Sequence, residues 1–350
     1  MFESLPEEVT VYEVGPRDGL QNETVPLGAT DKIAFIQALV EAGVKRIEAT
    51  SFVHPKWIPQ LADAEKVCAG LPEAPGVRFS ALVPNVKGLE RALKTRIHEV
   101  AIFLSASESH NKRNIHRTVA ESLADYRDVV TQARAAGRGV RGYVSTVFGC
   151  PYEGAVDPRA VVRLVGELKA LGVDEVSLGD TIGVATPAEV YTLSKQLVRD
   201  FGAKSLALHL HNTRGTALAN VVAGLEAGIR VFDSTAGGLG GCPYAPGASG
   251  NLASEDLVYM LHGMGIRTGI DLVKLTRASK ALEPLLGHAL ESNVVRSLSM
   301  HVSRPAEDGQ DPAQGSFIPD PDSRRQKSGA DVIALEKPQA SKNIVTTFNQ

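Results

Sequence analysis

The sequence predicts a (β/α)8 barrel, and three observations carry that prediction. Strand-like and helix-like runs alternate eight times between Val9 and His262, the pattern of a parallel sheet wrapped in helices. The first strand is followed by GPRDG, which lacks the glycine spacing of a dinucleotide-binding turn, so a doubly wound sheet is the second choice. Polar residues with chemical potential gather at the C-terminal strand ends, where a barrel keeps its active site.

The elements follow in order. VTVYEV, from Val9, is the first strand, and the turn GPRDGLQNE follows it. Thr30 is expected to cap an amphipathic helix, DKIAFIQALVEAG, closed by Gly43. RIEATS, from Arg46, is the second strand, with a helix over Pro59 to Ala69. VRFSALVP, from Val77, is the third, followed by the helix VKGLERALK. EVAIFLSAS, from Glu99, is the fourth, with a long helix from Thr118 to Ala136. VRGYVSTVFG, from Val140, precedes a helix from Pro158 to Leu171. DEVSLGD, from Asp174, precedes a helix opening at Thr186 and Pro187. SLALHLHN, from Ser205, precedes a helix from Gly215 to Gly228. RVFDSTAGG, from Arg230, is the eighth strand and runs into a glycine-rich loop, with a helix from Ser254 to His262 beyond it. IDLVKLTRASKALEPLL reads as one or two further helices. The barrel domain is therefore placed at 1–290, its last helical region at 271–290. A C-terminal extension, 291–350, is expected to be partly disordered. From His301 it holds five prolines and two aromatics, with ADVIALE and NIVTTF as its only candidate ordered pieces.

Composition narrows the functional class. With 350 residues, 43% hydrophobic and 22% charged, the chain can bury a large core. A formal charge of −3 implies no basic face, which argues against a nucleic-acid partner. There is no apolar run of membrane-spanning length. The beginning, MFESLPEEVTVYEVG, is acidic and resembles neither a signal nor a transit peptide. Cys68, Cys150 and Cys242 are far apart with no CxxC, which fits a reducing compartment, and a cytoplasmic location is expected. Cys68 and Cys150 read as structural.

The sharpest chemical signal is His209–Leu210–His211 in the seventh strand. Alternation points both imidazoles to one face, where they suit a metal. An HxH pair alone is also compatible with a structural role. Asp18, at the end of strand one, and Asn251, at the end of the glycine loop, add hard oxygen donors. The mixed set suits Mg2+ or Mn2+, with Co2+ a further candidate, and disfavours a closed Zn2+ site. Arg17 and Asp18 are expected to splay apart, Asp18 to the metal and Arg17 to a substrate oxygen that gains negative charge; the alternative is a surface ion pair. Glu48, in strand two, either supports a metal ligand or bound water or is an interior carboxylate paired with an arginine. Cys242 lies in GGLGGCPYAPGASGN, from Gly237 to Asn251, where six of fifteen residues are glycine. Such a loop can cover a site and present a thiol for proton transfer.

EVGPRDGLQNE, IEATSFVHPKW, SLGDTIG, the HxH strand and GGLGGCPYAPGASGNLASEDLVYML together resemble the 3-hydroxy-3-methylglutaryl-CoA lyase family, metal-dependent barrel lyases with a DRE-type signature. The resemblance runs from about Val9 to Leu290. It implies that Asp18, His209, His211 and Asn251 bind the divalent metal. It implies that Arg17 stabilises an enolate, that Cys242 and His209 take part in proton transfer, and that Glu48, Asp180 and Glu255 support the site. The implied reaction is retro-Claisen cleavage of an acyl-CoA, 3-hydroxy-3-methylglutaryl-CoA, to acetyl-CoA and acetoacetate, by a homodimer. Condensing synthases share the RDG and HxH elements but lack the cysteine loop. Three positions depart from the family pattern, Thr24, Asn212 and Arg214. They keep open a related substrate, such as citramalyl-CoA or a longer 3-substituted glutaryl-CoA.

Overall fold

Eight parallel strands close on themselves in chain order, β8 pairing back onto β1. The computed structural model describes residues 5–241, 250–302 and 318–322. The strands are β1 (Thr10–Glu13), β2 (Arg46–Ser51), β3 (Arg78–Leu82), β4 (Glu99–Ser105), β5 (Gly139–Ser145), β6 (Glu175–Asp180), β7 (Leu206–Leu210) and β8 (Val231–Ser234). Around them run α1 (Ala29–Glu41), α2 (Ala64–Ala69), α3 (Val86–Leu93), α4 (Glu108–Ile115), α5 (Val119–Ala135), α6 (Pro158–Leu171), α7 (Pro187–Phe201) and α8 (Ala217–Ala227). Four more helices follow, α9 (Ser254–Gly263), α10 (Leu272–Lys280), α11 (Glu283–Leu286) and α12 (Asn293–Val302). The predicted barrel is the observed one.

Local chemistry sets the helix ends. Thr118 and Glu121 form a reciprocal capping box that starts α5. Asp157 caps α6, with Pro158 in its first turn, where no amide donor is missed. Gly172 closes that helix at φ 98°, a left-handed conformation that costs glycine little. The expected cap at Thr30 is displaced: the helix starts two residues earlier, at Ala29 after Gly28. The expected helix over Pro59 to Ala69 is split into a short 3-10 turn, Pro59–Leu61, and α2.

Two helices are not apparent in the sequence pattern. The residues of α4, ESHNKRNI, have little apolar character. Ser107 starts this helix by accepting from the His110 amide, and His116 ends it at φ 55°. α12 is held at its start by Asp256 of α9, whose carboxylate accepts from the Ser292 hydroxyl at 2.8 Å and the Val294 amide at 2.9 Å. The first part of the extension thus belongs to the body of the barrel. ADVIALE and NIVTTF lie outside the described residues.

Alternation divides the strands between two environments. Ile47, Phe79, Ile102, Val144, Leu178, Leu208 and Phe232 join the helices in the main core. The interior of the barrel is largely ionic. Arg46 donates to Glu175 at 2.8 Å and to Glu99 at 3.3 Å, and Tyr12 donates to Glu99 at 2.9 Å. Removing one member of such a buried set leaves an uncompensated charge, at a cost of about 3–5 kcal/mol. Among the described residues no helix is long and apolar enough to cross a membrane.

Candidate active site

After β1 the chain makes a five-residue π-helical turn, Gly15–Gly19, in which the Val14 carbonyl accepts from the amides of Arg17 and Asp18. The turn carries Arg17 and Asp18 over the C-terminal mouth. Their side chains do not splay as expected: Arg17 Nη1 meets Asp18 Oδ1 at 2.5 Å. The turn is tight enough to bring both to one side. Arg17 Nε also reaches Glu48 Oε2 at 2.5 Å. Of the two readings of Glu48, the observed contact is the arginine pair. Burial raises the Glu48 pKa and the two neighbouring arginines pull against that rise. Burial opposes ionisation of Asp18 too, but Arg17, then His209 and Asn251, outweigh it and bring its pKa down to about 2. Asp18 is therefore ionised at neutral pH.

His209 lies within β7, whereas His211 lies one residue beyond the strand, bridged to Asn251. Their Nε2 atoms face each other at 3.3 Å. Burial, and next His209, depress the His211 pKa to about 3, so its ring is neutral. Burial also acts to lower the pKa of His209, but Asp233 and Asp18 outweigh it and the net shift is upward. His209 Nδ1 stands 3.3 Å from Asp233 Oδ2. Donor atoms of Asp18, His209 and His211 all lie within 4.8 Å of one another. Two ring nitrogens aimed at one point beside a carboxylate fit a divalent cation with oxygen and nitrogen donors.

Asn251 is fixed by backbone bonds on both sides. The Asn212 amide donates to Gly250 at 2.6 Å, and the Leu252 amide donates to Leu210 at 3.0 Å. Asn251 Nδ2 donates to Asp18 Oδ2 at 2.8 Å and to the Leu239 carbonyl at 3.1 Å. Gly240, at φ 93°, permits this approach, since a Cβ there would stand 2.7 Å from Asn251 Nδ2. Four of the expected site residues, Arg17, Asp18, His209 and His211, line one cavity of about 660 Å³, and Asn251 bonds to the Asp18 carboxylate. Cys242 lies outside the described residues; Gly241, its chain neighbour, lines the same cavity.

Two expected supporting residues hold backbone. Asp180 accepts from the Val184 amide at 2.9 Å and the Ala185 amide at 3.1 Å, which shapes the loop after β6. Glu255 accepts from the Gly237 amide at 2.8 Å and from the Ser279 hydroxyl, which anchors the root of the glycine loop. Arg214 donates to the Ile182 carbonyl at 2.6 Å and ties two rim loops together. Thr146, at φ 57°, is a β-branched residue held in the left-handed region beside Ser145 of the cavity wall.

The sequence reading missed Glu13, Arg141, Tyr143 and Asp233. Arg141, Tyr143 and Asp233 are buried inside the barrel, and Glu13 is buried between β1 and the start of α9. Charged residues at alternate positions of otherwise apolar strands were the available signal, because such residues are rarely buried without partners.

The sequence model of the HMGL-like family matches residues 8–282. The chain belongs to the HMGL-like family. Over 287 residues it is 53% identical to a hydroxymethylglutaryl-CoA lyase, YngG, of Bacillus subtilis (strain 168), covering 82% of this chain and 96% of that protein. It is 48% identical to a 3-hydroxy-3-isohexenylglutaryl-CoA/hydroxymethylglutaryl-CoA lyase of Pseudomonas aeruginosa, covering 84% and 98%. Among solved structures it matches an HMG-CoA lyase of Acinetobacter baumannii in complex with coenzyme A and 3-methylmalate. That match has a TM-score of 0.80 and 41% identity, covering 87% of this chain and 98% of that one. The HMGL-like match begins just before β1 and ends in α10–α11, so it includes Arg17, Asp18, Glu48, the histidine pair and Asn251.

Proposed function

We propose that this chain is a carbon–carbon lyase that cleaves 3-hydroxy-3-methylglutaryl-CoA to acetyl-CoA and acetoacetate. The observation that carries the proposal is Arg17, held by Glu48 and Asp18 beside the Asp18–His209–His211 donor set, all facing one cavity. The names of the relatives, and the coenzyme A bound to the Acinetobacter baumannii neighbour, support an acyl-CoA as its substrate.

A divalent cation, Mg2+ or Mn2+, held by Asp18, His209, His211 and Asn251, would supply Lewis acidity that makes a 3-hydroxyl easier to deprotonate. Asn251 now turns its amide nitrogen toward Asp18, so its role as a donor requires the other end of that amide. The reaction removes the hydroxyl proton, breaks C2–C3 as the ketone forms, and leaves a thioester enolate. Arg17 has a persistent charge and places it in the cavity, where the enolate oxygen becomes negative. A preorganised donor at such an oxygen is worth about 10²–10³ in kcat. A proton delivered to C2 completes acetyl-CoA. His209 and Cys242 are the proposed proton carriers, Cys242 from its place in the glycine-rich run. Glu48, Asp180 and Glu255 act through the groups they hold rather than by touching substrate.

A second substrate has specific support, since the Pseudomonas aeruginosa relative is named for both a 3-isohexenyl and a 3-methyl substrate. The discriminating experiment compares kcat/KM for 3-hydroxy-3-methylglutaryl-CoA, citramalyl-CoA and longer 3-substituted glutaryl-CoAs. The 3-methylglutaryl substrate is expected to be preferred. A higher value for a longer substituent would move the assignment to that substrate. The reading also takes the enzyme as a cytoplasmic homodimer, supported by its dispersed thiols, of which Cys68 and Cys150 are buried and free, and by family resemblance.

A further inference from the structure

Arg141 lies at the centre of the barrel, with no solvent exposure. Its Nε donates to Glu175 at 2.7 Å, which anchors it from the N-terminal side of the barrel. Its two Nη atoms point toward the site and divide. Nη2 donates to Asp233 Oδ1 at 2.6 Å, and Nη1 donates to Asp233 Oδ2 at 3.1 Å, a bidentate fork. Nη1 also donates to the Tyr143 hydroxyl at 2.8 Å.

Each branch ends on a different part of the site. Asp233 is further pinned by the Ser177 hydroxyl at 2.8 Å, and its Oδ2 faces His209 Nδ1 at 3.3 Å. A carboxylate at Nδ1 favours the tautomer that carries its proton there and leaves Nε2 free as a donor atom. Along the other branch, the Tyr143 hydroxyl receives from Arg141 and donates its only proton to Glu48 Oε2 at 3.1 Å. That same oxygen receives Arg17 Nε at 2.5 Å. The Tyr143 ring lies edge-on to His209, with centroids 6.3 Å apart.

We propose that Arg141 is a positioning residue that sets the metal-ligating histidine and the enolate-facing arginine relative to each other. It acts through Asp233 on His209 and through Tyr143 and Glu48 on Arg17. The planar guanidinium is the reason one residue can do this, since its donors have fixed directions. A lysine keeps the charge and loses the fork. The proposal rests on the lyase reading for its turnover arm only.

The experiment measures Mn2+ affinity without substrate, by the electron paramagnetic resonance signal of free Mn2+, together with kcat, KM and thermal stability. Three variants are compared, Arg141→Lys, Asp233→Asn and Tyr143→Phe. Arg141→Lys is expected to weaken Mn2+ binding by about 10–100-fold, the usual effect of removing an outer partner of a metal ligand, and to lower kcat. Asp233→Asn should weaken Mn2+ binding similarly. Tyr143→Phe should leave Mn2+ binding unchanged and lower kcat with little change in KM. Folded Arg141→Lys protein that binds Mn2+ like the parent overturns the proposal. If that variant does not fold, the split between Asp233→Asn and Tyr143→Phe decides. Equal loss of Mn2+ affinity in both, or in neither, overturns it as well. A parent protein that binds Mn2+ but cleaves no acyl-CoA would sink the lyase reading while leaving the Mn2+ comparison intact.

Discussion

Arg17 Nε is committed to Glu48 and Nη1 to Asp18, while Nη2 has no hydrogen bond among the described residues. An arginine pinned at two nitrogens loses little freedom when its third meets a substrate oxygen. Arg17→Gln is therefore expected to lower kcat by about 10²–10³ with Mn2+ affinity nearly intact, as read by steady-state kinetics beside Mn2+ titration. Mn2+ affinity falling in step with kcat would mean that Arg17 serves the metal donors instead. The residue identities were legible because each lies at a strand end and carries a donor type that chemistry can use. Their mutual contacts were less legible. Sequence adjacency suggested that Arg17 and Asp18 diverge, and the π-helical turn brings them together. Glu48 could have faced either a metal ligand or an arginine, and only the packing of β2 against that turn selects the arginine.

The element that links these residues is the glycine-rich run from Gly237 to Asn251. Its first end is tied to the barrel by two buried carboxylates. Glu13 accepts from the amides of Gly15 at 2.8 Å and Ala236 at 2.9 Å, and Glu255 holds Gly237. Burial raises the Glu13 pKa to about 7 and the Glu255 pKa to about 8, against the hydrogen bonds that favour their ions. Both values lie above the unfolded 4.5, so the folded state holds protons that the unfolded chain has released. Stability should thus be greatest below about pH 4.5 as far as these two groups contribute. It falls by about 1.4 kcal/mol per pH unit for each group, until the pH passes the folded value. Thermal unfolding from pH 5 to 9 checks this: Glu13→Gln and Glu255→Gln should flatten the decline, and a slope unchanged in both would contradict it. Within the run, Cys242→Ser is expected to lower kcat by at least about 10²-fold with KM little changed, the scale of a lost proton carrier. Comparable loss of substrate binding would make Cys242 a part of the loop's structure instead. Pattern reading found the strands and most helices, whose apolar faces repeat with a clear period. It did not find α4, which has little apolar face, or α12, which is specified by its distant cap, Asp256.

At the scale of the molecule, the barrel keeps its apolar core outside the strands and an ionic column within them. The column runs from Arg46 through Glu175 and Arg141 to Asp233, and ends beneath His209. This arrangement explains how a fold with eight interchangeable units fixes one set of side chains at one mouth. The closed barrel was legible from the eight repeats, whereas the column was not, because its members are far apart in sequence and meet only on closure. The account's central claim is metal-dependent carbon–carbon cleavage at that mouth. Its most direct test is to supply the purified protein with Mn2+ and 3-hydroxy-3-methylglutaryl-CoA and to measure both products. The account predicts acetoacetate and acetyl-CoA in equal amounts, abolished by EDTA and restored by added Mn2+; no cleavage of this or any other 3-hydroxyacyl-CoA would contradict it.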